Sequence, residues 1–341
     1  MLLGDSSEPT HGHGPAPIEK RTIVRFYRKA ADPRPQTHRP VARLAAPMPS
    51  TTALNDTSQA CLGVFDSGVG GLSVLRALRR RLPQARLLYA ADSGHAPYGE
   101  RDAAFVIERA RALTDHLLRE GAQLVVIACN TATAAAAQTL RDEHPAVAIV
   151  GVEPGIKPAI ALSRNGRIGV MATTGTLASD KFRRLLAAHA GEVELHLQPC
   201  PGLATALEAG DAHSAEVHAL IARYAAPLRA AGVDTVVLGC THYPFAAAAI
   251  AAALGPHVSL VDTADAVARR VEALLPAGAA RVAAQPLRPV LLWTSGDVAA
   301  LRRAAAHWLD FATDVQALPD TVAPPSTSAP PAWTTPTSGV A

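Results

Sequence analysis

GAQLVVIACNT (121–131) and GVDTVVLGCTH (232–242) align with each other without a gap. Each stretch has a glycine eight residues before a cysteine, an apolar run between the two, and polar residues directly after the cysteine. A short apolar run of this kind is typical of a buried strand. Cys129 and Cys240 are therefore predicted to follow equivalent strands in two copies of one structural unit.

Apolar runs of the same kind recur along the chain, each followed by a stretch with helical spacing. In the first half they are CLGVF (61–65), ARLLYAAD (85–92) and AQLVVIACN (122–130), and the pattern resumes with GRIGVMATTGT (166–176). Alternating strands and helices are typical of a parallel sheet covered by helices. We therefore predict an α/β protein of two pseudo-symmetric, doubly wound lobes with mainly parallel sheets.

Polar residues follow the predicted strands in both copies. Asp66 and Thr174 lie 63 and 66 residues before Cys129 and Cys240, at the ends of the matching upstream strands. Because open α/β sheets bind ligands outside the carboxyl ends of their strands, we expect the active site in the cleft between the lobes. A small ligand there would have one thiol on each side.

Charge and composition exclude several classes of protein. The net charge is +3, but residues 1–47 hold eight Lys and Arg against four Asp and Glu, so the rest of the chain is nearly neutral. A nearly neutral body does not indicate a nucleic-acid partner. Residues 1–20 lack the apolar core of a signal peptide, and the uncharged stretch 243–261 is interrupted by Gly-Pro, unlike a membrane span. Because the four cysteines are also widely spaced, we predict a cytoplasmic protein with no membrane partner.

The two ends of the chain differ in composition from its centre. Residues 1–59 mix Pro, Arg, His, Ser and Thr, and residues 319–341 are rich in Pro, Thr and Ser. Both compositions predict disorder. Met48 is a second candidate start, which would leave the basic N-terminal segment untranslated.

Cys129 and Cys240 allow three interpretations. A single buried cysteine is most often a small core residue, but two at duplicated strand ends beside polar residues favour chemistry. With His242 they would also supply a Cys₂His metal site, yet no further His/Cys cluster accompanies them, and we predict no metal. We favour acid–base use, because inverting a carbon centre needs one group to remove a proton and another to deliver one to the opposite face.

Two thiols can share these roles near neutral pH when neighbouring groups bias their protonation. Asp66 and His242 are the candidates for that bias. Such a scheme needs no cofactor if positioned donors and exclusion of water stabilise the carbanion.

The segment DSGVGGLS (66–73) leads from a predicted strand into a helix, and its glycine-rich turn offers backbone N–H groups to an anion. Dinucleotide binding is an alternative in which Asp92 would contact a ribose, but the G-x-G-x-x-G pattern fails at Ser73. We favour a carboxylate-bearing ligand whose ammonium and acid groups contact Asp66 and Ser67.

GVFDSGVGGLSVLRAL, YAADSGHAPYGER, ACNTATA, GVEPGIKPA, TTGT and GCTHYP occur here in the same order as in the glutamate racemases of the aspartate/glutamate racemase superfamily. The chain resembles that family from about Gly63 to Asp297. The resemblance implies interconversion of L- and D-glutamate without pyridoxal phosphate, supplying D-glutamate for bacterial peptidoglycan. The basic N-terminal segment and the Pro-rich tail have no counterpart in the family's common core, so regulation by a cell-wall precursor stays open.

The resemblance also implies roles for individual residues. Cys129 would act on the D-enantiomer and Cys240 on the L-enantiomer, with Glu208 assisting Cys240. Without the resemblance, Glu208 would be interpreted as a solvated helical carboxylate and Tyr98-Gly99 as part of a Pro-Gly turn. The substrate-binding positions would be Asp66, Ser67, Tyr98, Gly99, Asn130, Thr131, Thr174, Thr176, Thr241 and His242.

The family's interleaved lobes place lobe 1 at residues 60–155 plus 270–318 and lobe 2 at 156–269. Two alternative functions stay open. One is a racemase of the same superfamily that acts on aspartate or a hydantoin, and the other is a non-catalytic module that binds dicarboxylates. A pyridoxal-phosphate enzyme is a further rival, but only Lys157 of the four lysines follows a predicted strand end. The oligomeric state is left open, a homodimer included.

Overall fold

The computed structural model describes residues 23–25, 60–189, 193–209, 211–275 and 289–322. Strands and helices alternate through most of these ranges, as the sequence predicts. The strands are β1 Ile23–Arg25, β2 Cys61–Asp66, β3 Arg86–Ala91, β4 Leu124–Ile127, β5 Ala148–Gly151, β6 Arg167–Ala172, β7 Glu194–Pro199, β8 Thr235–Gly239, β9 Ser259–Val261, β10 Val290–Thr294 and β11 Thr313–Ala317. The helices are α1 Leu72–Arg81, α2 Ala103–Arg119, α3 Asn130–Glu143, α4 Ile156–Leu162, α5 Thr174–Ala178, α6 Asp180–His189, α7 Leu203–Glu208, α8 Ala215–Ala230, α9 Ala247–Leu254, α10 Ala264–Leu274 and α11 Val298–Trp308.

The strands form two sheets, one in each lobe. The sheet of lobe 1 has the order β11-β10-β3-β2-β4-β5 and is parallel throughout. The sheet of lobe 2 has the order β1-β7-β6-β8-β9, in which only β1 runs antiparallel. The series β3-β2-β4-β5 and β7-β6-β8-β9 are equivalent, which confirms the predicted fold of two pseudo-symmetric α/β lobes.

The strand register brings the predicted polar residues together. Phe65 pairs with Ile127 where β2 meets β4, and Ala172 pairs with Gly239 where β6 meets β8. In lobe 1, the next strand in the chain after β2, which is β3, pairs on one side of it, and β4 then pairs on the other side. In lobe 2, β7 and β8 pair on the two sides of β6 in the same way. Such a switch in strand order creates a crevice at the carboxyl ends of the strands.

Each sheet is covered by helices on both faces. In β2, Leu62 and Val64 face the layer formed by α1, α10 and α11, whereas Cys61 and Phe65 face α2 and α3. In lobe 2, α7, α8 and α9 cover one face, and α4 and α6 the other. Because both faces of the sheets are covered, the central strands β2, β4, β6 and β8 are buried and largely apolar, and their polar residues are concentrated at their ends.

Helix α10 lies against α1, with Val267 and Val271 in the core of lobe 1. The chain therefore returns to lobe 1 at Ala264, before the boundary predicted at residue 270. This shift arises because the apolar face of α10 completes the α1 layer rather than a layer of lobe 2.

The predicted disorder of residues 1–59 and 319–341 falls almost entirely outside the described residues. It does not hold for Ile23–Arg25, because β1 pairs with the edge strand β7. It does not hold at Val322 either, which is buried against the core of lobe 1. None of the helices in the described ranges combines the length and apolar character that a membrane crossing requires.

Candidate active site

A cavity opens between the two lobes, beyond the carboxyl ends of β2, β3, β4, β6 and β8. It encloses about 710 Å³ of space, part of it open to solvent. Both lobes contribute, and Cys129 and Cys240 both lie in its wall. The lining residues are Ser67, Ser93, Ala96, Pro97, Tyr98, Gly99, Cys129, Asn130, Thr131, Thr173, Ala204, Thr205, Glu208, Ala209, Cys240, Thr241 and His242.

Cys129 follows β4 and forms the N-cap of α3, where its sulfur accepts a hydrogen bond from the Ala132 N–H at 3.4 Å. Its thiol donates to Ser67 Oγ at 3.7 Å, and the Ser67 hydroxyl donates to Asp66 Oδ1 at 3.0 Å. Burial raises the pKa of the Cys129 thiol, and the nearby Asp66 carboxylate raises it further. The first array, Cys129–Ser67–Asp66, therefore holds a protonated thiol at neutral pH.

Asp66 lies behind the cavity wall rather than in it. The residue is fully buried, and Thr241 Oγ1 of lobe 2 donates to Asp66 Oδ2 at 2.9 Å. Burial raises the pKa of Asp66, while His242 and the hydrogen bonds from Thr241 and Ser67 oppose that rise. Since its oxygens are engaged with protein groups, Asp66 is placed to influence Cys129 through Ser67.

Cys240 follows β8 and has a different set of neighbours. Its sulfur lies 3.7 Å from His242 Nδ1, and His242 Nε2 lies 2.6 Å from Glu208 Oε2. Although burial disfavours the imidazolium, hydrogen bonds with Cys240 and Glu208 raise the pKa of His242 well above its usual range. The second array, Cys240–His242–Glu208, therefore places a positive charge beside the sulfur.

Glu208 is the last residue of α7, and its carboxylate reaches across to lobe 1. The Val69 N–H donates to Oε2 at 2.8 Å, and the Ser93 hydroxyl donates to Oε1 at 2.7 Å. Burial disfavours the carboxylate, but the hydrogen bonds from His242, Ser93 and Val69 lower the pKa of Glu208. Gly68 makes this approach possible, because a Cβ there would lie 2.2 Å from Oε2.

The loop that carries Tyr98 is fixed from behind by a buried ion pair. Arg109 donates from Nε and Nη2 to the two oxygens of Asp92, each at 2.8 Å. The Tyr98 hydroxyl donates to Asp92 at 2.5 Å, and the Ser295 hydroxyl donates to it at 2.7 Å. Asp92, which the dinucleotide alternative assigned to a ribose, is thus a structural anchor for the cavity wall.

Apart from the His242 imidazolium, the side-chain donors in the cavity wall are neutral. No lysine or arginine among the described residues lies in its lining. The amide nitrogen Nδ2 of Asn130 is buried and has no hydrogen-bond partner within the described part of the chain. Together with the hydroxyls of Thr131 and Thr205, it offers hydrogen bonds to an anionic ligand without a full positive charge.

Seven of the ten residues predicted for substrate binding lie in the wall, whereas Asp66, Thr174 and Thr176 do not. Thr174 is exposed and does not line the cavity, whereas its neighbour Thr173 does. The difference arises because Thr173 is the N-cap of α5 and its hydroxyl accepts from the Thr176 N–H. Thr176 is buried beneath the wall, with its hydroxyl 3.3 Å from that of Thr131.

Four contributors to the site were not predicted as such. Ser93, Thr173 and Thr205 line the cavity, and Arg109 supports it through Asp92. The only sequence signal for Ser93 is the D-S-G-H string after β3, and this string is typical of an ordinary turn. Arg109 gave no signal, because it lies in the middle of helix α2, outside the predicted motifs.

Among the residues that the structure describes, the side chains that the alternative site types would need are not assembled at the cavity. Lys157 is exposed on α4, and Lys181 pairs with Glu153 at 3.0 Å, so neither is available to a pyridoxal-phosphate site in the cavity. Lys20 and Lys29 lie outside the described residues. Within the described ranges, no three His, Cys, Asp or Glu side chains are grouped as a metal site would need.

Sequence comparisons agree with this architecture. The family model for Asp/Glu/Hydantoin racemase matches residues 72–271. A glutamate racemase of Ectopseudomonas mendocina is 52% identical over 241 residues, which cover 71% of this chain and 91% of that protein. A glutamate racemase of Pseudomonas aeruginosa is 50% identical over 236 residues, covering 69% of this chain and 89% of that protein.

Solved structures give the same result. The crystal structure of glutamate racemase isoform RacE1 from Bacillus anthracis superimposes with a TM-score of 0.68 at 31% identity, covering 76% of this chain and 97% of that one. Escherichia coli glutamate racemase, in complex with L-glutamate and the activator UDP-MurNAc-ala, gives a TM-score of 0.67 at 31% identity, with coverage of 76% and 97%.

The fold has two α/β lobes with mainly parallel sheets, and in each lobe a cysteine follows a strand that ends at the cavity. This arrangement is that of an enzyme class that inverts a carbon centre bound between two groups. The chain belongs to the Asp/Glu/Hydantoin racemase family, among the glutamate racemases.

Proposed function

We propose that this chain interconverts L- and D-glutamate by a two-base reaction in which Cys129 and Cys240 exchange the roles of acid and base. The observation that carries the proposal is the pair of hydrogen-bonded arrays, Cys129–Ser67–Asp66 and Cys240–His242–Glu208, that end in one cavity. One thiol comes from each lobe, as inversion at a carbon between them requires.

In the L-to-D direction, the Cys240 sulfur removes the α-proton and the Cys129 thiol delivers a proton to the opposite face. The His242 imidazole, whose pKa is raised well above its usual range, lies beside the Cys240 sulfur, while burial and Asp66 raise the pKa of Cys129 and keep its thiol protonated. Each turnover exchanges the protonation of the two sulfurs. The reverse reaction begins from the exchanged form, with Cys129 as the base towards D-glutamate.

The carbanion between the two steps must be stabilised by the protein. Neutral donors in the cavity between the lobes can hold the α-carboxylate, and water displaced by the bound substrate would strengthen each hydrogen bond. Asn130 Nδ2 is a buried donor without a protein partner in the described part of the chain, and the Thr131 hydroxyl lies in the same wall. We assign these two residues to the substrate carboxylates.

Glutamate is favoured over aspartate or a hydantoin because the relatives of about 50% identity are glutamate racemases. The E. coli relative binds L-glutamate in a structure that covers 76% of this chain. The D-glutamate formed here would serve peptidoglycan synthesis.

The test is to incubate the purified, dialysed protein with L-glutamate in the absence of added cofactor and to follow circular dichroism at the substrate band. We expect the signal to decay to zero at a racemic mixture. Cys129→Ser and Cys240→Ser should each abolish racemisation, with Cys61→Ser as the matched control of a buried cysteine outside the cavity. A stable signal with the wild-type protein would refute the function, and normal turnover by either mutant would refute the two-base scheme.

A further inference from the structure

Ser93 makes a contact between the lobes that the two-base scheme does not yet use. The residue follows Asp92 directly after β3 in lobe 1, and its hydroxyl donates to Glu208 Oε1 of lobe 2 at 2.7 Å. Ser93 itself lies in the cavity wall. Its partner is the carboxylate that hydrogen-bonds His242, so Ser93 is two contacts away from the imidazole beside Cys240.

The Glu208 carboxylate has three hydrogen-bond partners, and two of them belong to the other lobe. Ser93 and the Val69 N–H come from lobe 1, whereas His242 comes from lobe 2. The carboxylate can therefore hold both oxygens in place only while the lobes are together. Because His242 Nε2 bonds to one of these oxygens, the orientation of the imidazole depends on the same contacts.

The donor is itself held in position. The adjacent Asp92 carboxylate receives both Arg109 nitrogens at 2.8 Å, which fixes the end of β3. On the other side of Ser93, the Gly94 N–H donates to Ser295 Oγ at 3.1 Å. A serine anchored on both sides presents its hydroxyl with little loss of rotational freedom, which suits a positioning role.

We propose that Ser93 is a positioning residue for the reaction: by holding Glu208 across the lobe interface, it orients His242 against Cys240. The inference rests on the proposed function, since it assumes that Cys240 is the base towards L-glutamate. It does not extend to Cys129, whose array contains no contact with Glu208.

The expected effect is confined to one half of the reaction. Without the hydroxyl, Glu208 Oε1 loses its donor and the imidazole is less well oriented, so the step at Cys240 slows. We expect kcat to fall about 10-fold, equivalent to about 1.4 kcal/mol in the activation barrier. The step at Cys129 should keep its rate.

The experiment uses three variants, S93A, S93T and S93V. Thr and Val have nearly the same shape, but Thr has a hydroxyl group where Val has a methyl group. Primary isotope effects on kcat/KM are measured with L- and D-glutamate deuterated at the α-carbon. In S93A and S93V, the effect should rise for the L-enantiomer and fall for the D-enantiomer, because proton transfer at Cys240 becomes more rate-limiting. S93T should behave like the wild-type protein.

Ser163→Ala is the control, because Ser163 Oγ also donates to a carboxylate, that of Asp234, at 2.7 Å. Both residues precede strands of lobe 2 and so lie at the outer end of that lobe, opposite the cavity at the carboxyl ends of the strands. This variant should leave both isotope effects unchanged. If the wild-type protein racemises glutamate and the isotope effects of S93A and S93V equal those of the wild type, the proposed role of Ser93 is overturned. The proposed function would then still stand. Equal impairment of S93T and S93V would also overturn the role of Ser93, since shape rather than the hydroxyl would then matter. Absence of wild-type turnover would instead refute the proposed function.

Discussion

Thr241 Oγ1 donates a 2.9 Å hydrogen bond to Asp66 Oδ2, and this contact joins the segment that carries Cys240 to the carboxylate behind Cys129. The reciprocal contact runs from Ser93 of lobe 1 to Glu208 of lobe 2. Each array thus ends on a carboxylate that the opposite lobe helps to hold. The arrays differ in their middle member, a hydroxyl in one and an imidazole in the other, so the two sulfurs have unequal environments.

The Asp66 charge should control the reactivity of Cys129. Burial is the main cause of the raised pKa of this thiol, and Asp66 adds to it, so Asp66→Asn should lower the Cys129 pKa. The pH midpoint for alkylation of Cys129 by iodoacetamide, followed by mass spectrometry, should then move to lower pH. Asp234→Asn removes a carboxylate at the outer end of lobe 2 and should leave the midpoint unchanged. An equal midpoint in wild type and Asp66→Asn would contradict this electrostatic role.

Gly68 should tolerate no side chain while Glu208 is present. A Cβ at residue 68 would lie 2.2 Å from Glu208 Oε2, so Gly68→Ala must displace the carboxylate that orients His242. We expect kcat to fall at least about 10-fold, as the loss of one positioned hydrogen bond of about 1.4 kcal/mol implies. A double-mutant cycle checks the cause, because in a Glu208→Ala background the same alanine should add little. Additive losses would show that the clash with Glu208 is not the reason.

The buried pair of Asp92 and Arg109 should dominate stability in a pH-dependent way. Burial alone would raise the pKa of Asp92, but Arg109 holds it well below its usual value, so the ionised form stabilises the folded protein. This contribution is complete above about pH 4, the ordinary pKa of aspartate, and is lost as pH falls further. Arg109→Leu should cost about 3–5 kcal/mol at pH 7 by leaving a buried charge unpaired.

Urea unfolding between pH 7 and pH 3 measures this effect. The difference between wild type and Arg109→Leu should shrink as pH falls, because the unpaired, buried Asp92 of the folded variant takes up a proton that the paired carboxylate of the folded wild type does not, while protonation of the unfolded chains is common to both and cancels. Arg111→Leu, which removes an exposed ion pair with Glu143, is the control and should leave stability nearly unchanged. A difference that is constant with pH would assign the loss to packing instead.

Asn130 should contribute to substrate binding through its free amide nitrogen. Asn130→Ala removes a donor to a carboxylate, and we expect KM for glutamate to rise about 10-fold. Asn130→Asp should be worse, because it places a negative charge against an anionic substrate. Asn165→Ala, at the outer end of lobe 2, should leave KM unchanged. Steady-state kinetics in both directions decide the matter, and an unchanged KM in Asn130→Ala would remove Asn130 from the site.

The sequence predicts the fold well because the central strands of two covered sheets must be largely apolar. The gapless match of residues 121–131 with 232–242 follows from β4 and β8 having the same place in two equivalent sheets. Cys129 and Cys240 were singled out for the same reason, because they follow such strands at the edge where ligands bind, whereas the substrate role of Asn130 came only from the resemblance.

What the sequence could not give depends on contacts between distant segments. Ser93 and Glu208 are 115 residues apart, and neither of their local motifs specifies the other. Thr173 and Thr174 are adjacent hydroxyl residues, so only the start of α5 decides which one faces the cavity. Asp92 fits a ribose ligand equally well until Arg109 is placed beside it.

The most direct test of the two-cysteine reaction is proton NMR of L-glutamate incubated with the wild-type protein in deuterated water, at less than about one-tenth conversion. Delivery of the proton by a second, solvent-exchanged thiol predicts D-glutamate that is fully deuterated at the α-carbon, while the remaining L-glutamate keeps its α-proton. Appearance of D-glutamate that retains the substrate's own α-proton would mean that one group removes and returns the same proton. That result would contradict the assignment of opposite faces to Cys129 and Cys240.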